Sequence, residues 1–149
     1  MNSNDLELIL KNFKNYMGVF SKNLMPHLSN VGDFYIINTN CFPCTVDNGH
    51  WVVIMKMSVN EYYFFDSFGN SPLYFNINIP GISASSNIIY NMQQLQSYTS
   101  NVCGLYCAFF CMYMLNCDGD FSDFLDIFDS EDFTANDLFI KNLFLKLYK

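Results

Sequence analysis

Arginine is absent from this 149-residue chain, and its 7 cations, all lysines, stand against 14 acids for a net charge of -7. Without a guanidinium fork or a basic stripe, the chain offers little grip on bases or phosphates, so specific nucleic-acid binding is not expected. Long apolar runs are missing too: no stretch approaches the roughly 18 residues that a membrane-spanning helix needs. The opening residues Met1-Asn2-Ser3-Asn4-Asp5 lack the basic-then-apolar pattern of a secretory signal. Repeats, low-complexity blocks and linker compositions are also missing. The expectation is a soluble intracellular protein, one domain over residues 1–149, monomeric and without a membrane partner. Histidine is scarce, with only His27 and His50. Cys41-Phe42-Pro43-Cys44 has the spacing of a metal knuckle or a redox pair, but no second close pair accompanies it, so plain thiols are the expected state and no metal or other cofactor is implied.

What the chain does have is apolar and aromatic bulk: 51% hydrophobic residues, with 16 Phe and 10 Tyr. That is enough to bury a sizeable core. Of its 6 cysteines, Cys103, Cys107 and Cys111 recur every four residues, which puts them on one face of a helix as reduced thiols rather than in disulfides. Eight of the 14 acids crowd between Asp118 and Asp137.

Periodicity sets out the elements. Ser3 to Tyr16 reads as a helix capped by Ser3 or Asn4, with Leu6, Ile9, Leu10 and Phe13 as its apolar stripe and Gly18 beyond its end. Phe34 to Asn38 reads as a strand. Trp51 to Met57 is almost continuously apolar, as in a strand covered on both faces. Val59-Asn60-Glu61 is a short connection to a strand at Tyr62 to Phe65, so the two should pair as a hairpin. Ile88 to Tyr90 suggests a further short strand. Val102 to Leu115 reads as a buried helix, apolar nearly all round, with Ser100 or Asn101 as its cap. Two stripes follow, Phe121, Phe124, Leu125 and Phe128, then Leu138, Phe139, Leu143, Phe144 and Leu147. The fold class expected is α+β, a mixed sheet packed against a central helix.

Within this frame an ordered trio stands out. Cys103 falls at the first turn of the buried helix, where orphan amides and the positive helix end favour a thiolate. His50 opens the long strand, and Asp66 ends its hairpin partner. Such a hairpin brings the start of one strand beside the end of the other, so His50 and Asp66 should meet at one sheet edge. A thiol, a base and an orienting carboxylate are the components of a cysteine nucleophile. Gln96, with Gln93 and Gln94 as rivals, could supply an oxyanion donor alongside the Cys103 N–H. Gly49 would permit close approach before His50, Trp51 would wall the cleft, and Gly104 would leave room for a substrate carbonyl. Asp47 lies too near His50 along the chain to orient it as naturally.

These residues resemble the adenovirus maturation protease, or adenain-like, family of cysteine proteases. Gly49-His50-Trp51 is similar to its Gly-x-His-Trp strand with the intervening residue missing. Phe65-Asp66-Ser67-Phe68-Gly69 is similar to its Glu/Asp-Pro-Phe-Gly segment with serine in place of proline. Gln96 followed seven residues later by Cys103-Gly104 resembles its glutamine and Cys-Gly. Tyr16-Met17-Gly18-Val19-Phe20 and Leu24-Met25-Pro26 resemble the segment after its first helix. The short, arginine-free chain looks more like members from virophages and polinton-like viruses than like the adenoviral enzyme.

The resemblance implies a permuted papain-like fold whose central helix carries the nucleophile. It implies an endopeptidase that cuts viral capsid and core precursor polypeptides at glycine-containing sites during virion maturation. Its place would be the virus factory or nucleus of a host cell, or the virion itself. The adenoviral enzyme is basic and uses DNA and a disulfide-linked peptide. This chain is acidic, and the matching segment at Ser85 and Ser86 has no cysteine, so neither cofactor is expected. The same order of residues also occurs in proteases that remove ubiquitin-like modifiers, which leaves deconjugation as an alternative. A non-enzymatic capsid-associated protein, binding through its aromatic and acidic surfaces, is the other. Iodoacetamide separates the last from the first two, since it would leave Cys103 unlabelled.

Overall fold

The structure, a computed structural model, describes residues 1–40 and 49–148. Cys41, Cys44 and Asp47, considered above, lie outside the described residues. The chain folds as α+β, with a mixed five-stranded sheet and, among the described residues, four α-helices. The strands β1 (Tyr16–Ser21), β2 (Phe34–Asn38), β3 (Trp51–Ser58), β4 (Glu61–Phe65) and β5 (Asn87–Tyr90) lie side by side in chain order. The two inner pairings, β2 with β3 and β3 with β4, are antiparallel, and the two outer ones are parallel. The β3–β4 hairpin turns at Val59 and Asn60, with Ser58 opposite Glu61.

Alternation along the central strands divides the core in two. Phe34, Ile36, Trp51, Val53, Met55, Tyr63 and Phe65 point to one face, and Tyr35, Ile37, Val52, Ile54, Tyr62 and Phe64 to the other. The helices α1 (Ser3–Leu10), α2 (Cys103–Asn116), α3 (Phe121–Leu125) and α4 (Phe133–Leu147) cover the first face. Parallel pairing obliges the chain to cross over between β1 and β2 and again between β4 and β5. Those crossings bring Leu28 and Ile77 onto the second face. The near-continuous apolar run of β3 is thus explained by burial on both sides.

Helix α2 rests on β3 and touches the three other helices, which accounts for its all-round apolar sequence. Around it Phe65, Phe110, Phe121 and Phe124 form an aromatic cluster, with Phe65 and Phe110 stacked at 4.8 Å and Phe124 edge-on to both.

Three expectations need correction. The first helix stops at Leu10 rather than Tyr16, and its cap is Asn2, reciprocally bonded with Asp5 in a capping box. Asn15 takes a left-handed conformation, φ 69°, and turns the chain into β1, whose parallel partner begins 18 residues further on at Phe34. Local periodicity carries no signal for so distant a pairing. Helix α2 is not capped by Ser100 or Asn101: Val102 stands at the cap position and no side chain bonds the first turn. In α4 the stripe is rotated: Leu138, Phe139 and Leu147 are exposed, while Asn136, Asp137, Ile140 and Phe144 face inward. Asn136 can be buried because its amide donates to the carbonyls of Leu95 (3.1 Å) and Asp129 (2.8 Å) and accepts from the Asp129 N–H (2.8 Å).

Phe110 is fully buried between sheet and helices. Phe110→Ala should lower unfolding stability in urea by about 3–5 kcal/mol, through lost transfer energy and the cavity left among the stacked rings.

Candidate active site

The β3–β4 ladder pairs Val53 with Phe65. Continued past the strand ends, the same register sets residue 50 beside residues 66 and 68. His50 Nε2 meets Asp66 Oδ1, and the imidazole stacks on Phe68 at 4.8 Å with Phe75 5.7 Å away. On the other side the Thr39 N–H donates to the His50 carbonyl (3.0 Å). Ring and backbone are therefore both held. With Nε2 on the carboxylate, Nδ1 is left for another partner, and the ring and the Cys103 thiol influence each other's charge across the cleft they both line.

Asp66 is 0% exposed, a costly place for a carboxylate without partners. The chain supplies them: the N–H groups of Phe68 (3.1 Å) and Asn70 (2.9 Å) donate to its two oxygens beside His50. Asn91 clamps its backbone, accepting from Asp66 N–H at 3.1 Å and donating to Asp66 C=O. Gly69, at φ 80°, allows the tight turn that aims these amides back, and its N–H closes on Asp66 C=O at 2.9 Å.

The charges of the pair are set by opposing effects. Burial disfavours the imidazolium, but the hydrogen bond and charge of Asp66, and those of Cys103, more than offset it and raise the His50 pKa to about 9. Burial likewise disfavours the Cys103 thiolate, yet His50, together with backbone hydrogen bonds at Trp51 and Gly104, holds its pKa below the ordinary thiol value. Each group thus favours the charged form of the other, the arrangement that activates a thiol as a nucleophile. Cys107 and Cys111 behave differently: complete burial pushes both thiols up, and Cys107 donates to Trp51 C=O at 3.2 Å. They are core residues, as expected.

A cleft of about 280 Å³ opens onto these groups, lined by Gly49, His50, Trp51, Phe68, Gln96 and Cys103 together with Met1, Ser100 and Asn101. Of the three glutamines, Gln96 is the one that reaches it. Gln94 turns away to donate to Gln96 C=O (2.8 Å). Gln96 is 1% exposed. Its Oε1 accepts from Ser67 Oγ, which fixes the amide, and its Nε2 lies 3.1 Å from both Ser100 O and Ser100 Oγ. Use as an oxyanion donor requires one of these N–H groups to turn from Ser100 to the ligand. The missing helix cap leaves the first-turn amides of α2 without a side-chain competitor.

Trp51 borders the cleft but is only 2% exposed, so it serves as a buried wall. Gly49 is required sterically, since a Cβ there would lie 1.8 Å from Asn38 Oδ1. Gly104, expected beside the substrate carbonyl, does not line the cleft. Met1 packs over it, with Sδ 2.8 Å from where a Cβ would stand. Sequence reasoning missed Phe75 and Asn91, and it named Ser100 only as a helix cap. Phe68 and Ser67 were quoted as neighbours of Asp66 without a role. Asn91 could not have been found, because its partners are backbone atoms 25 residues away.

Among the described residues no group of three His, Cys, Asp or Glu is placed to hold a metal, and no helix is long and apolar enough to cross a membrane. The chain matches no protein-family model and no curated protein sequence.

The ion pair sets a pH profile. Iodoacetamide alkylation of Cys103 should rise at a pH below the ordinary thiol value, near 8.5, with a second inflection near 9 as His50 loses its proton. In His50→Ala the rise should move to more alkaline pH, because burial then acts on the thiolate against the backbone hydrogen bonds alone.

Proposed function

We propose that this chain is a cysteine endopeptidase of the adenain-like type that cuts viral capsid and core precursor polypeptides at glycine-containing sites. The observation that carries the reading is the convergence, on one cleft, of a thiol at a helix start, an imidazole held by a fully buried carboxylate, and an oriented glutamine amide. The sheet resting on the helix that bears Cys103 supports a permuted papain-like architecture. The narrow cleft against the Trp51 wall suits glycine, whose backbone enters where side chains would clash.

The chemistry is acyl transfer. The Cys103 thiolate attacks the scissile carbonyl, forming a C–S bond. The oxyanion gains the Cys103 N–H and one N–H of Gln96. His50, already protonated, gives its proton to the departing amine as the C–N bond breaks. It then takes a proton from water, which attacks the thioester and releases the acid and the free thiol. Asp66 keeps the ring oriented and balances its charge throughout.

The enzyme acts as a monomer, without a metal, nucleic acid or peptide cofactor, in the virus factory or nucleus of the host cell or within the virion. Its charge of -7 and lack of arginine argue against a DNA track, and Ser85 and Ser86 offer no thiol for a tethered peptide.

Purified protein should therefore cleave a fluorogenic Gly-Gly peptide with no activator added. Cys103→Ala should abolish turnover while leaving circular dichroism unchanged, and Asp66→Asn should cut kcat by about 100-fold or more. Full activity of Cys103→Ala, or silence until DNA is supplied, would overturn the reading in its first or last part respectively. Ser67→Ala frees the Gln96 amide to rotate and should lower kcat by about 10-fold to 100-fold. Its KM and the alkylation rate of Cys103 should stay near wild type, since neither the ion pair nor ground-state binding runs through that hydroxyl.

A further inference from the structure

Asp137 is a buried acid that the proposed chemistry does not use. Only 5% of it is exposed. Both bonds it accepts fall on one oxygen: Tyr106 O–H donates to Oδ1 at 2.8 Å and Ser97 N–H at 3.4 Å. Oδ2 accepts no hydrogen bond and joins no ion pair among the described residues. Yet no fully enclosed side-chain oxygen or nitrogen among them lacks a partner, so Oδ2 must reach open space. Asp137 lines a pocket of about 540 Å³. That pocket shares two wall residues, Ser100 and Asn101, with the catalytic cleft.

We propose that this pocket is a side-chain subsite of the peptidase, floored by Asp137, for a substrate residue that donates hydrogen bonds: a basic or carboxamide side chain close to the scissile glycine. The inference rests on the peptidase reading. A peptide leaving the cleft past Ser100 in extended form carries its next side chains over the pocket. Oδ2 has no protein donor, and a ligand donor that reaches it forms a charge-assisted bond. An apolar side chain in the same place would leave the oxygen both unpaired and cut off from water, so the site discriminates as well as binds. Ser97, Thr99 and Thr134 add polar walls. Lys141 stands on the rim one helical turn from Asp137 without pairing to it. It is positioned to meet the carbonyl of a carboxamide and to weaken, without cancelling, the pull on a cation. The overall charge of -7, with acids crowded up to Asp137, also disfavours acidic side chains there.

The test is a set of fluorogenic peptides with a fixed scissile glycine. Each flanking position is set in turn to lysine, arginine, glutamine, norleucine or glutamate. At one position the three donors should be cut with kcat/KM about 10-fold or more above norleucine and glutamate. The ratio of lysine and arginine to glutamine separates charge from hydrogen bonding. Asp137→Asn keeps an oxygen for Tyr106 and turns an N–H into the pocket, so the preference at that position should pass to glutamate. Thr134→Trp, a change at an exposed site on the pocket wall, should collapse the discrimination if Asp137→Asn proves unstable. Equal cleavage of all side chains at every position overturns the subsite, as does a donor preference that both variants leave intact.

A readout without turnover keeps the two readings apart. In ¹⁵N-labelled Cys103→Ala protein, the Ser97 and Leu138 amide signals should shift with the lysine peptide and not with the norleucine peptide. Wild type that cuts no peptide would remove the peptidase reading, while this titration still decides the pocket: shifts with both peptides, or with neither, reject it.

Discussion

The site depends on the register of one hairpin. In an antiparallel ladder, a slip of one residue sends every side chain to the opposite face. With Val53 opposite Phe65, the residues just past the strand ends include the base and its acid, and the ring that stacks on the base comes with them. Burial on both faces of β3 and β4 makes any other register expensive. The helix bearing the thiol is then fixed independently by the aromatic cluster it shares with Phe65. The two halves of the nucleophile thus meet because the same strands order both, through hydrogen bonds on one side and ring packing on the other.

Electrostatics and burial act against each other throughout the site, and the balance is what gives it chemical potential. Burial alone would neutralise Cys103 and His50, as it does Cys107. The difference is the supply of partners. Asp66 receives backbone amides from the turn that follows it. His50 receives Asp66, and Cys103 receives His50 together with the uncapped end of α2. Leaving that helix end without a side-chain cap gives up about 1 kcal/mol of helix stability, and it leaves first-turn amides free of a capping side chain. Asp66 and Ser67, adjacent in the chain, bond His50 and the Gln96 amide respectively. Both side chains of the cleft are therefore held from one turn, and Asn91 locks that turn to the loop leading to Gln96.

How much of this was legible beforehand varied with the range of the interaction. Strands β2 to β5, the hairpin and α2 could be read because period-two and all-round apolar patterns are local and strong. The meeting of His50 with Asp66 followed from the short Val59–Asn60 turn, since a tight hairpin fixes which ends adjoin. Strand β1 and the early end of α1 escaped, because parallel pairing across a crossover has no local mark. The rotation of α4 escaped for a related reason. Its inward face is chosen by hydrogen-bond partners on distant segments, Leu95 and Tyr106, and hydropathy alone assigns Asn136 and Asp137 to solvent.

By itself, then, the sequence determined the kinds of chemical group available and the segments that carry them. It set a thiol at a helix start, an imidazole and an acid at the two ends of a hairpin, and a charge balance of 14 acids to 7 lysines without arginine. The tertiary structure alone decided which glutamine enters the cleft, which backbone amides bond the Asp66 carboxylate, and that Met1 rather than open space covers Gly104. It also decided that Asp137 offers a free oxygen beside the site. The reason is that hydrogen-bond satisfaction is settled among atoms brought together by the whole fold, while periodicity and capping act over a few residues of chain.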